Sequence, residues 1–192
     1  GAAHLGLILL AAALALVAAA NCGVYGLATR LGRYWPNYLL GARPTGIVIH
    51  HSATAPGDDS IRTRDGIDHG HAQRGWGLFF GGRVYHIGYH YLIDPDGRIL
   101  QGRPEWLPGA HVEGHNDTLG LCLLGDFSRD SSSRLRGPSR AQMDSLVRLV
   151  KKLMARYHLS HKQVYLHSDL RPTQCPGAGF PRDEFYRDLG AQ

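Results

Sequence analysis

A chain of 192 residues with a hydrophobic fraction of 43% can bury one core of ordinary size and carry an appendage besides. Its net charge of +5 and pI near 9.3 suit an anionic partner such as cell-wall polymer or lipid headgroups. No basic cluster interleaved with aromatics is present, which argues against nucleic acid, and three cysteines (Cys22, Cys122, Cys175) do not make a disulfide framework.

Taken in chain order, Leu5 to Ala20 is uninterrupted apolar sequence, and only Asn21 breaks a longer stretch running to Ala28. Read short, 1–28 is a signal peptide with Ala18-Ala19-Ala20 as a small-residue cleavage site. Read long, Leu5–Ala28 has the length of a bilayer span, and Cys22 offers a lipidation site as a third reading. Residues 29–44, with Arg30, Arg33, Tyr34, Trp35, Pro36, Tyr38 and Pro44, form a linker with interfacial aromatics.

The folded domain is expected to start near Thr45. The run Thr45–His51 reads as a buried strand, and Ser60 to about Arg74 as a helix with Ile61, Ile67 and Ala72 as sparse apolar points. Gly75 to Gly82 reads as a Gly-rich loop. Strands over Tyr85–Ile93 and Arg98–Gln101 flank the turn Asp94-Pro95-Asp96-Gly97. Leu119–Leu124 is another buried strand, and Ser128–Pro138 a polar loop. Ser139 and Gln142 make a capping-box pattern ahead of Met143, Leu146, Val147, Val150, Leu153, Met154 and Tyr157 at helical spacing. Gln163–Leu166 is a last short strand, and Pro181 opens a terminal helix that stops near Gly190. This mixture predicts an α/β domain over 45–192, one central mixed sheet flanked by helices, with no internal repeat.

Chemistry gathers at His50, in Ile47-Val48-Ile49-His50-His51-Ser52, and at His167 and Cys175, in His167-Ser168-Asp169-Leu170-Arg171-Pro172-Thr173-Gln174-Cys175-Pro176-Gly177. Two imidazoles and a thiolate are ligands that zinc favours, and a set of three leaves a fourth position open, as catalytic sites require. His50 and His51 point to opposite faces of their strand, and spacing alone does not choose between them. A closed structural site needs a fourth ligand, for which His69, His71, His111 and His115 are the candidates.

From Thr45 to Leu189 these segments resemble the type-2 N-acetylmuramoyl-L-alanine amidase and peptidoglycan recognition protein family. The resemblance implies zinc held by His50, the first His of the "VIHHS" signature, with His167 and Cys175. It implies that Tyr89, in Gly88-Tyr89-His90-Tyr91, stands beside the reacting water, and that Thr173 stands where some relatives carry Lys. Cys122 falls where cytosolic relatives carry Glu, so no carboxylate base is supplied there. Gly109-Ala110-His111 with Asn116 resembles the segment that lines the substrate groove. Gly75-Trp76 and Arg103 match the positions that recognise diaminopimelate-type peptides, Arg103 by pairing with the extra carboxylate. The activity implied is zinc-dependent cleavage between N-acetylmuramic acid and L-alanine in peptidoglycan; the alternative is a recognition module that binds peptidoglycan or muropeptides without cutting. The accompanying expectations are a monomer exported to the bacterial cell envelope or periplasm, with membrane contact through the N-terminal segment.

Overall fold

The two most apolar runs become adjacent parallel strands. Ile47–His51 (β1) pairs with Leu119–Leu123 (β6) in register Ile47↔Leu119 through His51↔Leu123, and every residue of both is buried. Such two-sided burial explains why neither run alternates with polar residues. The computed structural model describes residues 43–54, 60–80, 82–128 and 137–190, all within the compact unit Gly41–Gln192. The expected leader at 1–28, most of the 29–44 linker and most of the polar loop lie outside the described residues.

Between β1 and β6 come Ser60–Gln73 (α1), Leu78–Phe80 (β2), Arg83–Tyr85 (β3), Tyr91–Ile93 (β4) and Ile99–Gln101 (β5); after β6 come Arg140–Tyr157 (α2), Val164–Leu166 (β7), the short turn of helix His167–Leu170 (α3) and Arg182–Leu189 (α4). The main sheet has the order β5-β4-β6-β1-β7, with β5 antiparallel to β4 and the remaining pairs parallel. The expected central mixed sheet is therefore present. Its β4–β5 turn is held by Asp94, whose carboxylate accepts the Asp96 and Arg98 amides at 3.0 and 2.8 Å, while Gly97 takes a positive φ of 81°.

One face of the sheet packs Ile47, Ile49, Leu119, Leu121 and Leu123 against Met143, Leu146, Val150 and Leu153 of α2 and Phe185 and Leu189 of α4. The capping box at Ser139 and Gln142 forms as expected, both bonds at 3.0 Å. Buried Gln142 also donates to the Ile93 and Leu124 carbonyls, tying α2 to two strand ends. The other face packs Leu92, Cys122 and Leu124 with Ile87, and with Ile67 of α1 and Tyr89 at its margin. His50 stands on this second face, in register with Cys122.

The expected strand Tyr85–Ile93 is not continuous. β2 and β3 form a separate two-stranded hairpin, and the chain from 86 to 90 has no regular structure before β4 begins. The Gly-rich stretch hid β2, because it reads as a loop, whereas Leu78–Phe80 pairs with Arg83–Tyr85 and Gly82 between them takes a φ of 78°.

Candidate metal centre and active site

β1 carries His50 at its C-terminal end, and β7 stops at Leu166 so that His167 opens the next turn. The chain then folds back, the Ser168 amide donating to the Cys175 carbonyl at 3.0 Å, which brings Cys175 beside His167. Asp169 pins the fold from below: it accepts the Leu166 amide at 2.8 Å and the Arg182 guanidinium at 2.7 Å. The ligand atoms of His50, His167 and Cys175 lie within 4.8 Å of one another. His51 turns to the opposite face, where its Nδ1 accepts the Phe127 amide at 3.1 Å; the ambiguity between the two histidines is resolved by this pleat.

Cys175 Sγ stands 3.6 Å from His50 Nδ1. A tetrahedral ion with bonds of about 2.3 Å to sulfur and about 2.05 Å to nitrogen would separate those atoms by about 3.6 Å, so the donor set has the edge length of a zinc site. Burial, and then neighbouring His111 and His167, hold the His50 imidazole well below its ordinary range; burial and Arg171 lower His167. Both rings are thus neutral and carry a free lone pair. Burial pushes the Cys175 thiol up to about 12, against the opposing effect of its hydrogen-bond contacts with the His51 backbone, whose amide points at the sulfur from 3.4 Å.

No fourth side chain joins this cluster among the described residues. His71 Nδ1 accepts the Gly88 amide at 3.0 Å, and His69 bonds Gln73 on α1. His111 uses both ring nitrogens, bonding His50 Nε2 at 3.1 Å and the Thr118 carbonyl at 3.0 Å. Both ring nitrogens of His111, expected in the segment lining the substrate groove, are thus engaged within the protein. Asn116 likewise spends its carbonyl on its own loop, accepting the His111 and Val112 amides at 2.9 and 3.2 Å.

A chain of rings leads outward from the centre: His50 to Tyr89 at 5.1 Å, Tyr89 to His71 at 5.4 Å, and His71 to Trp76 at 4.6 Å between centroids. Trp76 is partly open to solvent beside Gly75, which takes a positive φ of 69°. Tyr89 is raised well above its ordinary value, by burial first and then by the neighbouring Cys122 and Cys175 thiols. Cys122 is its hydrogen-bond partner and is itself raised by burial. Thr173 is exposed and accepts the Cys175 amide at 3.2 Å. The role of His71 as the link between Tyr89 and Trp76 was missed at the sequence level; its place four residues ahead of Gly75, at the end of α1, was the available signal.

Arg103 departs from expectation. It is 2% exposed, and its guanidinium donates to the carbonyls of Ile87, Pro108, Trp76 and Tyr85 at 2.7–3.1 Å. It clamps the hairpin and the 86–90 segment from within and does not present itself to a peptide carboxylate.

The family profile described as N-acetylmuramoyl-L-alanine amidase (Amidase_2) matches residues 40–178. The endolysin of Enterobacteria phage T3 is 33% identical over 137 residues, 71% of this chain and 82% of that protein. The solved N-acetylmuramoyl-L-alanine amidase LysC from Clostridium intestinale URNW superposes with a TM-score of 0.64 at 33% identity, covering 78% of this chain and 87% of its own. A Drosophila peptidoglycan recognition protein LB variant solved in complex with tracheal cytotoxin gives 0.58 at 25%, covering 73% and 79%. Phage endolysins among the relatives overturn the expectation of a protein exported to the bacterial cell envelope or periplasm, and among the described residues no helix is long and apolar enough to cross a membrane. With a profile spanning most of its length and relatives of this identity and coverage, the chain belongs to the N-acetylmuramoyl-L-alanine amidase family and is an amidase.

Proposed function

We propose that the chain is a zinc-dependent amidase hydrolysing the bond between the lactyl group of N-acetylmuramic acid and L-alanine in peptidoglycan, with His50, His167 and Cys175 holding the ion and the catalytic unit beginning near Thr45. The reading is carried by two imidazoles and one thiol whose donor atoms lie within 4.8 Å of one another, with a 3.6 Å sulfur–nitrogen separation that matches one edge of a tetrahedral zinc site. Zinc bound there supplies Lewis-acid activation of water and of the scissile carbonyl at neutral pH.

The chain's own groups do the rest. Tyr89 keeps its proton at neutral pH because burial and two thiols disfavour the phenolate, so it donates a hydrogen bond to the oxyanion that develops on the carbonyl. Thr173, two positions before a ligand and exposed, adds a hydroxyl without adding charge. Cys122 stands under Tyr89 as a protonated thiol, which orients the phenol and takes no proton from water. Trp76, partly exposed and backed by the buried His71 ring, offers an aromatic surface along which the stem peptide lies.

The test is hydrolysis of purified muropeptides by the full chain, scored by mass as free peptide. Chelation is expected to abolish turnover and added zinc to restore it; turnover that survives complete metal removal would sink the zinc reading. A second reading, recognition without cleavage, is supported by the likeness to a recognition protein solved with tracheal cytotoxin. Binding without release of peptide by the zinc-loaded chain would establish it.

A further inference from the structure

We infer that His111 is a positioning residue, which fixes the tautomer and orientation of His50 through a relay from His50 Nε2 to His111 and on to the Thr118 carbonyl. The inference rests on the metal-centre reading above. Donor accounting forces the relay's direction. A carbonyl only accepts, so His111 Nε2, 3.0 Å from the Thr118 oxygen, carries the hydrogen. In the neutral ring His111 Nδ1 is then an acceptor, and the hydrogen bond of 3.1 Å to His50 Nε2 requires the hydrogen on His50. That leaves the His50 lone pair on Nδ1, the nitrogen that faces Cys175 Sγ at 3.6 Å. One backbone oxygen, two rings and the ligand atom are thereby set in line. A metal-bound histidine gains basicity and a fixed ring plane when its other nitrogen has a committed acceptor.

The surroundings leave the His111 ring one place to sit. A Cβ on Gly120 of β6 would lie 2.6–2.9 Å from the ring, and one on Gly109 would lie 2.3 Å from its Cδ2. Both glycines therefore form a slot that a side chain on either would fill. Asn116 holds the entrance by accepting the His111 amide at 2.9 Å. Loop, slot and strand together aim the ring at His50 and not at the groove, which gives the Gly109–Asn116 segment a function in metal binding that its position in the chain does not announce.

The test compares zinc affinity of the full-length native chain, His111→Phe and His111→Gln by competition with a chromogenic chelator, with the absorption spectrum of each cobalt-substituted protein as a second readout. Phe fills the slot but accepts no hydrogen bond; Gln can accept from His50 and donate to Thr118. His111→Phe is expected to weaken zinc binding by about 10–100-fold and to change the cobalt spectrum, while His111→Gln stays near native on both. Native affinity and spectrum in His111→Phe overturn the inference, as does His111→Gln as weak as His111→Phe, which would make the effect one of packing. Should His111→Phe fail to fold when metal-free, His111→Asn, too short to reach His50, takes its place. A native chain that binds no zinc would remove the metal centre itself and this relay with it; native binding with no effect of substitution removes only the relay.

Discussion

Tyr89 is the residue whose chemistry is most sharply set by its surroundings. Burial, Cys122 and Cys175 all disfavour its phenolate, so across the neutral range it acts as a donor and never as a base. Tyr89→Phe is therefore expected to lower kcat by about 10–100-fold, the loss of one transition-state hydrogen bond, while KM and zinc content stay close to native. Steady-state kinetics with metal analysis checks this, and an unchanged kcat would return Tyr89 to a packing role against His50 and His71. Cys175→Ala tests the other side of the centre. It removes the only sulfur donor of the three and should reduce both zinc content and hydrolysis to background; full zinc occupancy in that variant would dismantle the site as drawn.

Among the elements, the β2–β3 hairpin depends on a single side chain. Arg103 gives hydrogen bonds to four carbonyls drawn from both sides of the hairpin, and few other buried groups could satisfy them. Lysine has a point charge in place of a planar fork, so Arg103→Lys strands at least one buried carbonyl. The expected cost exceeds about 2 kcal/mol of unfolding free energy by urea titration, with activity falling because Trp76, whose carbonyl is one of the four, loses its anchor. Native stability in that variant would show that the clamp is dispensable. The same residue marks where sequence reasoning stops. α2 was legible because its capping box and apolar stripe are local patterns, and β1 and β6 because buried parallel strands read as plain apolar runs. The clustering of His50, His167 and Cys175 was legible from residue type and a family signature. The partners of Arg103, His111 and Asn116 were not legible because they are mostly backbone carbonyls and amides, which every residue carries and no sequence displays. The hairpin was missed for a related reason, since glycine serves loops and turns alike.

At the scale of the whole molecule, buried histidines tie stability to pH. His90 has no exposed surface, accepts the Gly120 amide and contacts the Leu107 carbonyl at 2.9 Å, and burial brings its pKa down to about 4. A folded value below the unfolded value of about 6.5 means that its contribution is complete above pH 6.5 and is lost as pH falls toward 4. The displacement corresponds to about 3 kcal/mol at ~1.36 kcal/mol per pKa unit. Urea titrations of metal-free protein should therefore show stability dropping through this window, and His90→Gln should flatten the slope; a flat native profile would contradict the assignment. A different consequence follows from where the proposed metal ligands sit in the chain. His50 and Cys175 are 125 positions apart, one on the first strand of the folded unit and the other near its last helix. An ion gripping both would act as a staple across nearly the entire fold, so that unravelling from either end must first open it. The working lifetime of the enzyme would then follow free zinc, and chelating surroundings would age the protein as well as silence it.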